Sequence, residues 1–251
     1  MRVWQWILFC VLIYVLGLVI YAPASLLTNA IQKNSQNKVL FSTPNGTFFS
    51  GGADQVIVNG ININNVKWEL SPLKLLLLSA NVDITGGNLR DMAQTYVAGD
   101  ITINLLDTND LNIQNLQTYI PVKTLLAQVQ LPVFITAEGR VRANIQHLDA
   151  SPNCIELTGT GSWQNAAISS NGKVTNLGSF DANLSCVENA YVITMNNKNI
   201  LNLDASLSLT TTGSYKVSGK FKPDDSLPSE IKQAANFFGQ PDQQGFYQIN
   251  F

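Results

Sequence analysis

Residues 56–70, VIVNGININNVKWEL, set the fold class. Val56 and Val58 begin a run of apolar side chains that resumes beyond Asn59-Gly60 at Ile61 and Ile63, then at Val66, Trp68 and Leu70. A period of two puts such side chains on one face of a sheet and their polar neighbours on the other. Asn59-Gly60 is the dipeptide that a tight hairpin turn prefers. The alternation changes phase at Asn64-Asn65, which predicts a turn or a bulge there. One face polar and one apolar favours antiparallel pairing, because parallel sheets are generally covered on both sides.

The same pattern recurs outward from this stretch. It is carried by Ile101, Ile103 and Leu105, by Val133 and Ile135, and by Val141, Ala143 and Ile145. Its clearest instance is Leu201, Leu203, Ala205, Leu207 and Leu209; Tyr215, Val217 and Phe221 follow, and Tyr247, Ile249 and Phe251 close the chain. Gly86-Gly87, Asn171-Gly172 and Thr212-Gly213 supply further turn signals. Three short stretches read as helical instead. Ser71-Pro72 suits the start of a turn over Leu73 to Leu78, Val122 to Val129 lies between Pro121 and Pro132, and Leu227, Ile231, Ala234, Ala235 and Phe238 have helical spacing with Gly239 beyond them. The four leucines Leu75 to Leu78 read as a buried plug, with an exposed patch for lipid or a partner as the competing reading.

The N-terminus has a different character. From Val3 to Ala22 the only strongly polar side chain is Gln5. Twenty helical residues at about 1.5 Å each span roughly 30 Å, the thickness of a bilayer's hydrocarbon core. Arg2 precedes the run, which predicts a cytoplasmic N-terminus and an exported remainder. Trp4, Trp6 and Tyr21 stand where interfacial aromatic rings prefer to lie. Ala22-Pro23-Ala24 also resembles a cleavage site, so a removed signal peptide competes with an uncleaved anchor. The resulting organisation is a transmembrane signal-anchor (1–24), a weakly amphipathic juxtamembrane segment (25–39) and a β-rich domain (40–251). That domain has two candidate halves, 40–150 and 151–251, each with one tryptophan, Trp68 and Trp163, near Gly-rich turns. The expected fold is mainly β: an N-terminal transmembrane helix followed by a curved antiparallel β-sheet domain with a few short helices.

Composition narrows the function. The 251 residues carry a formal net charge of −2 and only 13% charged side chains, so no basic patch exists to neutralise phosphates and nucleic acid is not an expected partner. Cys10 lies inside the apolar run. Cys154 and Cys186 remain for the exported part, where two thiols on an oxidising side most simply form a disulfide. No Cys-x-x-Cys suggests thiol exchange. His147 is the single histidine, which is a poor basis for a metal site, and no Gly-x-Ser-x-Gly elbow is present. Asp224-Asp225, beside Pro223, read as a turn and as partners of a helix dipole. No catalytic residue, cofactor site or metal site is expected.

Several motifs occur in order: Pro23-Ala24 after the apolar run, Gly46-Thr47-Phe48-Phe49-Ser50-Gly51, Trp68-Glu69-Leu70-Ser71-Pro72-Leu73, Cys154 before Leu157-Thr158-Gly159, Ser162-Trp163-Gln164-Asn165-Ala166, Leu177-Gly178, Cys186, and Phe238-Gly239 before Gly245-Phe246-Tyr247. Together they resemble protein N of the bacterial type II secretion system, with Phe48-Phe49 standing where the family pattern has Val-Trp. The resemblance implies a non-enzymatic accessory component in the bacterial inner membrane: single-pass, N-terminus cytoplasmic, β domain periplasmic. Its implied partners are other secretion-system components in membrane and periplasm. Trp68 and Trp163 are then structural motif aromatics. The alternative is a membrane-anchored periplasmic module that binds or transfers lipid in an apolar groove.

Overall fold

The structure, a computed structural model, describes residues 3–127, 136–170 and 173–251. Two helices come first, α1 (Val3–Ile20) and α2 (Ala24–Asn34), followed by β1 (Val39–Gly46), β2 (Ser50–Val58), β3 (Ile61–Leu70), α3 (Pro72–Leu76), β4 (Ser79–Gly86), β5 (Tyr96–Asn104) and β6 (Leu111–Pro121). The chain continues through α4 (Val122–Leu126), β7 (Thr136–Ala150), β8 (Cys154–Ser170), β9 (Lys173–Val187), β10 (Ala190–Met195), β11 (Asp204–Leu209) and β12 (Tyr215–Phe221). It ends with α5 (Ser229–Ala235), a 3₁₀ turn over Asn236–Phe238, and β13 (Tyr247–Asn250).

All 13 strands belong to one sheet, each paired with its neighbour in sequence. Every pairing is antiparallel. At about 4.8 Å per strand the sheet is roughly 60 Å across. It runs unbroken past residue 150, where β7 and β8 pair from Thr136↔Ser169 to Ala150↔Cys154. Register keeps the apolar positions on one face. Leu70, Val82, Ile101, Ile113, Leu148 and Leu157 make one cross-strand row. Ile145, Gly159, Leu184, Ile193, Leu207 and Val217 make another. Buried clusters lie along this face: one around Trp68 with Ala24 of α2, one around Ile113 and Cys154, and one around Ala166 and Phe180.

The phase change at Asn64-Asn65 is neither a turn nor a bulge, because β3 runs through it and the register with β2 is the same on both sides. Gln55 pairs with Asn64 and Ala53 with Val66, leaving Asp54 and Asn65 unpaired, and Asn65 takes a positive φ of 50°. Asn59-Gly60 turns with both φ positive, at 48° and 82°, as a type I′ hairpin requires. Other expectations are corrected. β11 begins only at Asp204: Asn202 sits at φ 45°, which breaks the extended backbone and leaves Leu201 and Leu203 in the preceding loop. The leucines after Ser71 are no plug. Leu73, Leu76, Leu77 and Leu78 are exposed, because α3 is a single short turn at the sheet's margin with no buried residue. Ser71 makes no side-chain cap, while Pro72 opens the helix as expected. α4 covers Val122–Leu126 and ends at Ala127; positions 128 and 129 of the expected helix, the strand expected at Val133 and Ile135, and the turn at Asn171-Gly172 lie outside the described residues.

At the N-terminus, α1 is 18 residues long and ends at Ile20. Pro23, at φ −69° and ψ 147°, separates it from α2, so the juxtamembrane segment begins with a helix of its own. Among the described residues no helix is long and apolar enough to cross a membrane. The crossing expected of Val3 to Ala22 is therefore unsupported by the fold itself.

Candidate functional site

The long strands β7, β8 and β9, with β10, build an apolar hollow. Alternation aims Val141 and Ala143 of β7, Trp163 of β8, Phe180, Ala182 and Leu184 of β9, and Ile193 and Met195 of β10 to the same side. Leu201 and Leu203 add a rim from the loop before β11. The groove encloses about 350 Å³, and its walls are almost wholly apolar. That volume is at the lower end of the range for small-ligand sites. On the opposite side of the same strands, Arg142, Thr160, Ser162, Gln164, Asp181 and Asn183 line a polar hollow of about 270 Å³.

Local packing fixes the groove's shape. Trp163 lies nearly parallel to Phe180, with centroids 5.4 Å apart at 23°. Its indole N–H donates to the Glu138 carbonyl at 2.9 Å, which satisfies the ring's one polar atom. Gly139, at φ 101°, leaves room for that contact, since a Cβ there would sit 2.9 Å from Trp163 Nε1. The Leu201–Leu203 rim is held by Asn199. Its Oδ1 accepts from the amides of Leu201 at 3.1 Å and Leu203 at 2.9 Å, and its Nδ2 donates to the Leu203 carbonyl at 2.9 Å.

Trp68 lies in the other buried cluster, near the start of the sheet, and does not meet Trp163. Its indole N–H donates to the Phe48 carbonyl at 3.2 Å, and Phe41 meets it edge-on at 6.3 Å. Gly51 lies against the ring: a Cβ there would come 2.5 Å from Trp68 Cζ2. The disulfide Cys154–Cys186, with Cα atoms 5.5 Å apart, belongs to the middle cluster. It ties β8 to β9 beyond Gly159↔Leu184, where their ladder ends. Cys10 is unpaired and exposed.

Chemistry-bearing side chains are scattered. His147 Nε2 is 4.0 Å from Glu156 Oε2 at the surface. Among the described residues no three His, Cys, Asp or Glu side chains come together as a metal site. Asp224 accepts from the amide and hydroxyl of Ser226, which holds its pKa below the usual carboxylate value, and Asp225 pairs with Lys232 of α5 at 3.6 Å. Both acids thus serve a turn and a helix. Asp100 faces Asp83 across the strand pair; the hydrogen bond to Asp83, burial and the neighbouring charge raise its pKa.

One residue had no sequence signal. Arg140 is only 3% exposed, and its guanidinium reaches the carbonyls of Leu89 at 3.1 Å and Gln94 at 3.4 Å, clamping the β4–β5 loop. It also stacks over Tyr119, 4.9 Å from the ring centroid. In the sequence it is an ordinary outward position beside Val141; its burial comes from a loop 46 to 51 residues away.

Comparison with known proteins agrees with this architecture in extent. The family profile described as type II secretion system (T2SS), protein N matches residues 37–250, the whole sheet. The type II secretion system protein N of Vibrio cholerae serotype O1 is 25% identical over 207 residues, covering 82% of this chain and 81% of that protein. The protein of the same name from Aeromonas hydrophila is 24% identical over 246 residues, covering 93% of this chain and 91% of its own length. That from Klebsiella pneumoniae is 22% identical over 238 residues, covering 93% and 88%. No solved structure matches the chain. The profile spans most of the chain, and the chain therefore belongs to the type II secretion system protein N family.

Proposed function

We propose that this chain is an inner-membrane accessory component of the type II secretion machine, in which α1 anchors the sheet on the periplasmic side and the sheet supports export of folded proteins across the outer membrane. The observation that carries the anchored arrangement is the state of α1: from Trp4 to Ile20 its described apolar side chains are all exposed, on every side of the helix. Such a surface needs an apolar solvent. Eighteen residues rise about 27 Å, and the Tyr21 amide still bonds back to the Gly17 carbonyl, which brings the helix close to the roughly 30 Å of a bilayer core. A disulfide suits an oxidising compartment on the far side. The partners in this reading are other secretion-system components in membrane and periplasm. Deleting the gene in its host tests the role: exported proteins are expected to accumulate in the periplasm, and undiminished secretion overturns it.

The apolar groove favours a second reading, a lipid-binding module with an acyl chain along Trp163 and Phe180. Native mass spectrometry of the gently purified full chain separates the two. Co-purified phospholipid supports the groove as a lipid site; lipid-free protein that crosslinks to secretion components supports the scaffold.

A further inference from the structure

In an antiparallel meander, alternate connections emerge at the same end of the sheet. The β1–β2, β3–β4 and β5–β6 connections therefore share one end, and the structure links them by hydrogen bonds. Leu70 N–H donates to the Phe49 carbonyl at 2.7 Å, and Leu105 N–H to the Leu78 carbonyl at 2.9 Å. The end of the apolar helix is tied to the same place: Phe48 N–H donates to the Ala22 carbonyl at 2.7 Å, and Pro23 bridges Thr47. At about 4.8 Å per strand, the three connections lie within roughly 20 Å of the point where α1 ends.

This end carries the most exposed leucines of the sheet. Leu73, Leu76 and Leu77 on and after α3 are 75%, 80% and 78% exposed, and Leu106 on the β5–β6 connection is 78% exposed. Leu78 and Leu105 continue the patch between them. Lys74 is exposed on the same turn, where a long side chain can lay its stem on apolar surface and keep its head in water. Farther along the same end the connections become polar: Ser151 to Asn153, Glu188-Asn189, and Thr210 to Ser214. Single apolar side chains beside those connections are exposed too, Ile155, Val187, Leu209 and Tyr215, but the leucines on the connections themselves cluster at the part of the end nearest α1.

The geometry points to a second membrane contact: the leucines of the β3–β4 and β5–β6 connections insert into the lipid surface beside α1, so the part of the sheet from β1 to β6 stands on the bilayer instead of hanging from a tether. The occupant is the bilayer and not a protein groove, because the patch is fixed next to the end of the helix proposed as the anchor, and this inference rests on that proposal. Asp107 and Asp110 share the connection with Leu106, so contact depends on apolar insertion and not on anionic lipid.

The test uses the full chain in phosphatidylcholine vesicles carrying an acyl-chain nitroxide quencher, in a Cys10→Ala background. A fluorophore is placed in turn at Leu76→Cys, Leu106→Cys, Lys38→Cys at the opposite end of β1, and Leu12→Cys inside α1. The expected result is loss of most emission at positions 12, 76 and 106, and none at 38. Quenching at 12 without quenching at 76 and 106 overturns the lipid contact and leaves the anchor standing. No quenching at any position overturns both. Quenching at 38 equal to that at 76 also overturns it, since no end of the sheet is then preferred.

Discussion

At the scale of single residues, two glycines make opposite predictions. Gly51 packs under Trp68, and a methyl there would meet the Trp68 ring at 2.5 Å and the Thr47 carbonyl oxygen at 2.7 Å. Gly51→Ala is expected to cost about 1–3 kcal/mol, the usual range for overpacking, read as a lower urea midpoint. Gly161 is the contrast: a methyl carbon added there would find its nearest neighbours 3.8 Å away. Gly161→Ala is expected to leave stability unchanged or raise it slightly, because glycine weakens a strand interior. Equal losses in the two would contradict the packing described around Trp68. Asp100 gives a pH prediction. Its folded pKa is raised above 3.8, so the folded state holds a proton more tightly than the unfolded chain does. The favourable contribution is present at low pH and lost as pH rises through the folded value. Asp100→Asn should therefore gain stability relative to the parent as pH climbs above about 4, where the parent's facing carboxylates repel. A difference between the two urea midpoints that does not change with pH would refute the cross-strand coupling.

At the scale of elements, the disulfide and the long hairpin belong together. β8 and β9 extend well beyond the shorter strands after them, and Cys154–Cys186 closes their base where the ladder has stopped. Replacing both cysteines by serine opens a loop spanning 32 residues of sequence separation. The expected loss is about 3–4 kcal/mol on the chain-entropy account, read from denaturant unfolding against the oxidised parent. Unchanged stability would mean that the hairpin holds its own base. The sequence made some elements legible and hid others for physical reasons. Alternation located β3, the middle of β7, and β12 and β13; the Asn64-Asn65 phase change marked a left-handed residue inside an unshifted ladder and not the expected turn or bulge. β8 and β9 escaped because glycine, serine and asparagine occupy many of their positions, which erases the apolar period. Leu201 and Leu203 obeyed the period yet left the strand, since Asn202 in the left-handed region and the Asn199 side chain hold a loop. The leucines after Ser71 misled because composition does not say whether any element packs across them.

At the scale of the whole molecule, one sheet carries an apolar face from β1 to β13, and little covers it: α2 at the start, and α5 with the preceding loops toward the end. That explains the half-buried state of so many of its apolar side chains, the whole of β5 among them. The alternation in the sequence revealed such a face but not its extent, because pairing order and the Leu201–Leu203 rim depend on contacts distant in the chain. The groove was legible as a tendency and not as a place. The central claim is that this sheet serves secretion while held at the membrane by α1. The most direct measurement is the amount of exported protein reaching the medium in a gene-deletion strain that carries either the full chain or the sheet (residues 24–251) released into the periplasm behind a cleavable signal. The account predicts that the full chain restores secretion and the released sheet, present at equal level, does not; equal restoration by the released sheet would contradict it.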